Sequence, residues 1–180
     1  KRALGEGPQA HIPAALPAMG IYLGYRQIVG NHLKYIAYIG ERPAACLGWG
    51  SAAWSVKSRD AFIGWDKKTK EKRLGFVANN TRFLVLPWVR VQCLASKVLA
   101  MNIRSISGDW MRVYHHPLYL LETFVEQDRF KGTCYKAANW IQVGPTKGIA
   151  KSGHDHLVHG KIKDVLLYPL GKDFRKNLMG

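Results

Sequence analysis

Asn80-Thr81-Arg82-Phe83-Leu84-Val85-Leu86-Pro87-Trp88-Val89-Arg90-Val91-Gln92-Cys93-Leu94-Ala95-Ser96 is the stretch on which the fold turns. Its first half is apolar and β-prone, which predicts a central strand, and Pro87 ends it because proline cannot donate to a ladder. A helix then runs from roughly Cys93 to Asn102, since Leu94, Val98 and Met101 recur at three- to four-residue spacing. A strand that passes through a loop into a helix presents unpaired backbone N–H groups at a positive dipole end, which is a phosphate-binding geometry. Arg90 and Gln92 supply further donors, Cys93 and Leu94 open the helix, and the small Ala95 and Ser96 let a ligand approach the backbone.

Outward from that stretch, His32 to Ile39 reads as a strand ending in the turn Gly40-Glu41-Arg42-Pro43, and Ala44 to Gly50 as its hairpin partner. Ala61-Phe62-Ile63-Gly64-Trp65 is a short apolar run entering Asp66 to Arg73, where five basic residues face two acids. That cluster is a solvated helix face or a phosphate contact, with Lys67, Lys68, Lys70 and Arg73 as its nucleic-acid candidates. Downstream, Asp109 to Tyr114 extends the helical region and His115-His116-Pro117 stops it. Leu118 to Val125 is another central strand, and Gly132 to Asn139 a short helix with Thr133 placed to cap it. Trp140 to Gly144 and Lys163 to Pro169 are the remaining strands. The pattern is α+β, with helices against one mixed sheet. Residues 1–20 read as an irregular lead-in, 21–170 as the domain and 171–180 as a basic C-terminal tail.

Composition narrows the function. The chain has 180 residues, 47% hydrophobic and 22% charged, which excludes disorder, collagen and coiled coil. Lys and Arg number 27 against 12 Asp and Glu, a net charge of +15, so an anionic partner, DNA, is expected. The uncharged stretch from Gly7 to Tyr25 is broken by Pro8, Pro13, Pro17 and Gly20, so no membrane span is expected there. Cys46, Cys93 and Cys134 are scattered among small apolar neighbours, which predicts buried, reduced thiols and a cytoplasmic protein. His154-x-His156-x-x-His159 has residue types that ligate metals, but its polar, glycine-flanked setting reads as exposed histidines, and no metal is expected. Asp60, Asp109, Glu122 and Glu126 have no spacing that favours a nuclease site over salt bridges. The six tryptophans mostly follow apolar strands and read as core more than as base-stacking platforms.

Arg90-x-x-Cys93-x-Ala95 resembles the Arg/Gln-x-x-Gly-x-Gly/Ala loop with which the Gcn5-related N-acetyltransferase (GNAT) fold cradles the pyrophosphate of acetyl-coenzyme A. Tyr135-Lys136-Ala137-Ala138-Asn139-Trp140 is similar to the Tyr-x-x-x-Gly-Phe segment of that fold, whose tyrosine often protonates the departing thiolate. The resemblance makes Tyr135 the candidate general acid and Glu122 a candidate base. Read without it, Tyr135 is a packing tyrosine and Glu122 a structural partner for Arg82 or Arg90. The side chain of Cys93 crowds the loop where the related fold has glycine, which predicts weak or absent binding of acetyl-coenzyme A.

Longer motifs point further. Ser51-Ala52-Ala53-Trp54, Arg59-Asp60-x-Phe62-Ile63-Gly64-Trp65, Asn79-Asn80-x-Arg82-Phe83-Leu84-x-Leu86-Pro87-Trp88-Val89, Leu121-Glu122-Thr123-Phe124-Val125 and Gly132-Thr133-Cys134-Tyr135-Lys136-Ala137-Ala138-Asn139-Trp140 together resemble the DruA-like family. The resemblance runs from about Leu23 to Leu170. That family is named for a component of the Druantia anti-phage system and also occurs beside transposases. It implies a GNAT-like mixed central sheet flanked by helices, splayed near Pro87 into a slot, and work on DNA with other defence or transposition subunits. The alternatives are an active acyltransferase using an acyl-coenzyme A donor, and a non-catalytic scaffold subunit. The chain departs from the family at four places. Ile21 stands for a histidine, Cys93 for an asparagine and His115 for a glycine, and Ile149-Ala150 interrupt a glycine-and-basic turn.

Overall fold

Period-two burial builds the first hairpin: in β1 (Leu33–Ile39) Tyr35 and Ala37 are buried while Lys34 and Tyr38 are exposed. The chain is described by a computed structural model over residues 30–147, 149–152, 155–158 and 161–180. β2 (Arg42–Ser51) pairs antiparallel with β1 and with β3 (Val77–Val85), which lies parallel to β4 (Leu120–Glu126). β5 (Ile141–Pro145) closes the other edge against β8 (Lys163–Pro169), which also pairs with β4. The six-stranded order is β1-β2-β3-β4-β8-β5, a mixed sheet as expected, and β6 (Ile149–Ser152) and β7 (Asp155–Val158) form a separate hairpin.

Between β2 and β3 lie α1 (Lys57–Ile63) and α2 (Lys67–Arg73), where the apolar run ends one helix and the charge cluster forms the next. The α2 entry is capped by Asp66, whose Oδ1 accepts from the Thr69 N–H at 2.7 Å. α3 (Leu94–Tyr114) follows β3, α4 (Thr133–Ala137) follows β4, and α5 (Phe174–Met179) follows β8. One sheet face packs Trp49, Ala78, Leu121 and Leu166 against Val98, Leu99, Ile103, Ile106 and Trp110 of α3. The other packs Val77, Leu120, Val165 and Leu167 against Ile63 and Trp65, and against Phe174 and Leu178 of α5. Residues 171–180 are therefore not a tail, because α5 buries two apolar side chains. Thr133 does not cap α4; Gly132 takes that position at φ 65°.

α3 is one helix of 21 residues, begun at Cys93 (φ 57°) and ended at His115 (φ 59°), both in the left-handed region. These are two of the positions at which the chain departs from the family it resembles. Asparagine and glycine tolerate φ > 0 better than cysteine and histidine, so the family residues there fit the backbone turns at the two ends of this helix. His115 is exposed, so its ring adds little packing. His115→Gly is accordingly expected to stabilise the fold by up to about 1 kcal/mol. Thermal melting checks this, with a rise of about 2–4 °C expected.

Candidate functional site

The parallel ladder between β3 and β4 joins Val77–Asn79 to Leu120–Glu122 and then stops, although β3 continues to Val85 and β4 to Glu126. The two strands part into a wedge that begins at Asn80, well before Pro87, where the splay was expected. Where the ladder stops, the Asn80 carbonyl accepts from the Thr123 hydroxyl of β4 at 3.1 Å. A bulge between Gly48 and Trp49 offsets β2 at the same level. There the Asn80 amide donates to the Gly48 carbonyl at 3.0 Å and the Arg82 carbonyl at 3.2 Å. Its Oδ1 accepts the Tyr135 O–H at 2.6 Å. The rings of Phe83 and Trp140 meet Tyr135 edge-on. Burial raises the Tyr135 pKa, so the phenol keeps its proton across physiological pH.

At the open end, Trp88, Arg90, Val91, Gln92 and Cys93 are exposed, and Leu94, Ala95 and Ser96 half-buried. Cys93 is the N-cap of α3 and makes no side-chain cap bond. The Ser96 hydroxyl turns back to donate to the Cys93 carbonyl at 3.0 Å. The structure thus brings the six loop residues together at an uncapped helix entry. Cys93 is not buried, contrary to expectation, because its position at the helix start turns it to solvent; Cys46 and Cys134 are half-buried.

Glu122 and Tyr135 are not brought together. Along β4, Leu121 belongs to the α3 face and Leu120 to the opposite one, so alternation sends Glu122 to the face away from Tyr135. Glu122 is 0% exposed, and both its oxygens are engaged: Arg59 Nη1 donates at 2.8 Å and the Ala53 N–H at 2.7 Å. Burial raises its pKa while Arg59 opposes the rise. As a base it has no open oxygen, and its partner is Arg59 rather than Arg82 or Arg90. Arg59 also binds Asp60 at 2.8 Å, and Asp60 accepts from Trp65 Nε1 at 3.1 Å and Lys70 Nζ at 3.0 Å. Asp109 pairs with Tyr35 and Arg112, and Glu126 with Lys161, so the four acids of the nuclease reading serve ion pairs and hydrogen bonds. The His154–His159 stretch lies outside the described side chains.

The basic cluster divides. Lys67, Lys68 and Lys72 are exposed on α2, whereas Lys70 is held by Asp60 and Arg73 lies 5.6 Å from the Phe76 ring centre. Sequence reasoning names Lys70 and Arg73 in place of Lys72. It also passes over Asn80 and Arg59, although an asparagine pair inside an apolar strand is a signal of a polar apex. Four tryptophans are core, but Trp54 and Trp88 are 56% and 53% exposed.

These motif residues, from Trp54 to Trp140, lie within the stretch, residues 17–154, that the model of the family Druantia protein DruA matches. The chain belongs to the DruA family. No curated protein matches it. Among solved structures, the chain is similar to the aminoglycoside acetyltransferase AAC(6')-Ib in complex with coenzyme A and kanamycin. Identity is 14%, with 81% of this chain and 70% of that one covered at a TM-score of 0.52. An acetyltransferase of the GNAT family from Streptococcus pneumoniae is similar over 89% of this chain and 79% of its own, at 12% identity and a TM-score of 0.50. The core of this chain therefore has a GNAT-like fold. Among the described residues no helix is long and apolar enough to cross a membrane.

Proposed function

We propose that this DruA chain binds DNA through the backbone phosphates, as part of a phage-defence system or a mobile element in the cytoplasm. The observation that carries the reading is the solvent-facing row of Lys67, Lys68 and Lys72 on α2 in a chain of net charge +15. A helix that holds three ammonium groups in water gains by releasing counterions from a polyanion, whatever the base sequence. Replacing the three by alanine together is expected to weaken duplex binding. The slope of log affinity against log salt should flatten by about 0.9 for each phosphate no longer neutralised. An unchanged slope removes α2 from the interface. Lys70→Ala, by contrast, breaks the Asp60 pair and is expected to move the slope less.

The splayed strands and the uncapped start of α3 favour a second reading, an acyltransferase with an acyl-coenzyme A donor. The residues present fit that donor poorly. A Cβ stands at Cys93 where the related loop has none, the Tyr135 proton is committed to Asn80, and Glu122 is sealed on the other face. A scaffold subunit that only docks other defence or transposition proteins would share the basic surface but lack the salt slope on DNA.

A further inference from the structure

We infer that Trp54 is a stacking platform for an unpaired base, so that the DNA this chain grips best is single-stranded; this rests on the DNA reading above. Trp54 follows β2 in the segment leading to α1, and that segment is not loose. The buried Glu122 holds the Ala53 N–H, while Arg59 donates to the Ala53 carbonyl at 2.7 Å and reaches the Trp54 carbonyl at 3.5 Å. A fully buried ion pair thus fixes the backbone on both sides of the indole, and the side chain that it presents is 56% exposed. A large aromatic ring held in place and open to solvent is a surface on which a flat partner can stack.

The chemistry around the ring names that partner. Lys70 Nζ lies over one face of the Trp54 ring, 5.7 Å from its centre, and is itself fixed by Asp60. Lys67 is one helical turn before Lys70 on α2, hence on the same side, and is exposed. Indole and ammonium groups alternate over a short span, as they do where a nucleotide strand lays its base on a ring and its phosphate against a cation. Duplex DNA keeps its bases stacked and offers only phosphate, so it uses the lysines and not the ring.

The test titrates the full chain with an oligodeoxythymidylate and, separately, with a hairpin duplex, following affinity and tryptophan fluorescence. The natural chain is expected to bind the oligothymidylate with quenching. Trp54→Ala is expected to weaken that binding by about fivefold or more and leave duplex affinity unchanged, with an unaltered melting temperature. Trp54→Phe, which keeps a ring, is expected to recover part of the affinity while losing the quench. Equal losses on both DNAs, or none on either, would overturn the platform while leaving phosphate binding in place. Binding of neither DNA would overturn both readings. Binding of poly-glutamate that falls as far in Trp54→Ala as oligothymidylate binding does would assign the ring to an acidic protein and overturn the inference.

Discussion

Glu122→Gln is expected to lower the unfolding free energy by about 3–5 kcal/mol, the usual cost of removing one partner from a buried ion pair. The amide keeps the shape of the carboxyl but leaves the Arg59 guanidinium, 0% exposed, facing a neutral group. It also weakens the bond from the Ala53 N–H that ties the Trp54 segment to β4. For a chain of this size the loss corresponds to a fall in melting temperature of about 10 °C. Glu126→Gln gives the contrast. Its partner Lys161 is 57% exposed at 3.2 Å, and an exposed pair contributes less than about 1 kcal/mol. Arg59→Met with Glu122→Leu is expected to recover only part of the loss: Asp60 keeps Lys70 and neither Arg59 nor Glu122 is left as an unpaired buried charge, but the Ala53 N–H and carbonyl lose their partners. Thermal melting of these variants decides the matter. Lost function in Glu122→Gln with an unchanged melting temperature would make Glu122 a reacting group after all.

What is legible in the sequence follows from how local each cause is. The strands of the six-stranded sheet are short runs of β-branched and aromatic residues between turns, and most are readable to within a few positions. α3 looks shorter in sequence than it is, because Ser105 and Gly108 weaken the local preference. Burial of Ile103, Ile106 and Trp110 against the sheet carries the helix through them. The wedge is legible from its loop, but its starting point at Asn80 depends on where two distant strands cease to pair. Glu122 is recognisable as a buried strand carboxylate in need of a cation. Which arginine the topology delivers is not, since Arg59 lies 63 positions away on α1. Lys70 looks as free as its neighbours because only the fold places Asp60 beside it. Cys93 is visible as a departure from the acetyltransferase loop, while its positive φ belongs to the chain path between β3 and α3.

That positive φ bears on the last expectation, that acetyl-coenzyme A binds weakly or not at all and that Cys93→Gly improves it. At φ 57° and ψ 15° a cysteine carries the cost of the left-handed region, and it places a Cβ at the N-cap of α3, where the related loop has none. Glycine removes both the strain and the atom, so the variant is expected to fold at least as well as the natural chain. With Arg90 and Gln92 exposed beside an uncapped 21-residue helix, the donors for a pyrophosphate remain available once the obstruction is gone. Calorimetry is expected to show an affinity at least about tenfold higher for Cys93→Gly, equivalent to relief of roughly 1.4 kcal/mol. Tight binding by the natural chain, followed by acetyl transfer that disappears in Tyr135→Phe, would make the acyltransferase the leading reading. It would also require Tyr135 to give up its 2.6 Å bond to Asn80 during the reaction. Binding by neither form would mean that the wedge, closed at its apex by Asn80, Thr123 and Tyr135, serves the shape of the DruA core and not a cofactor.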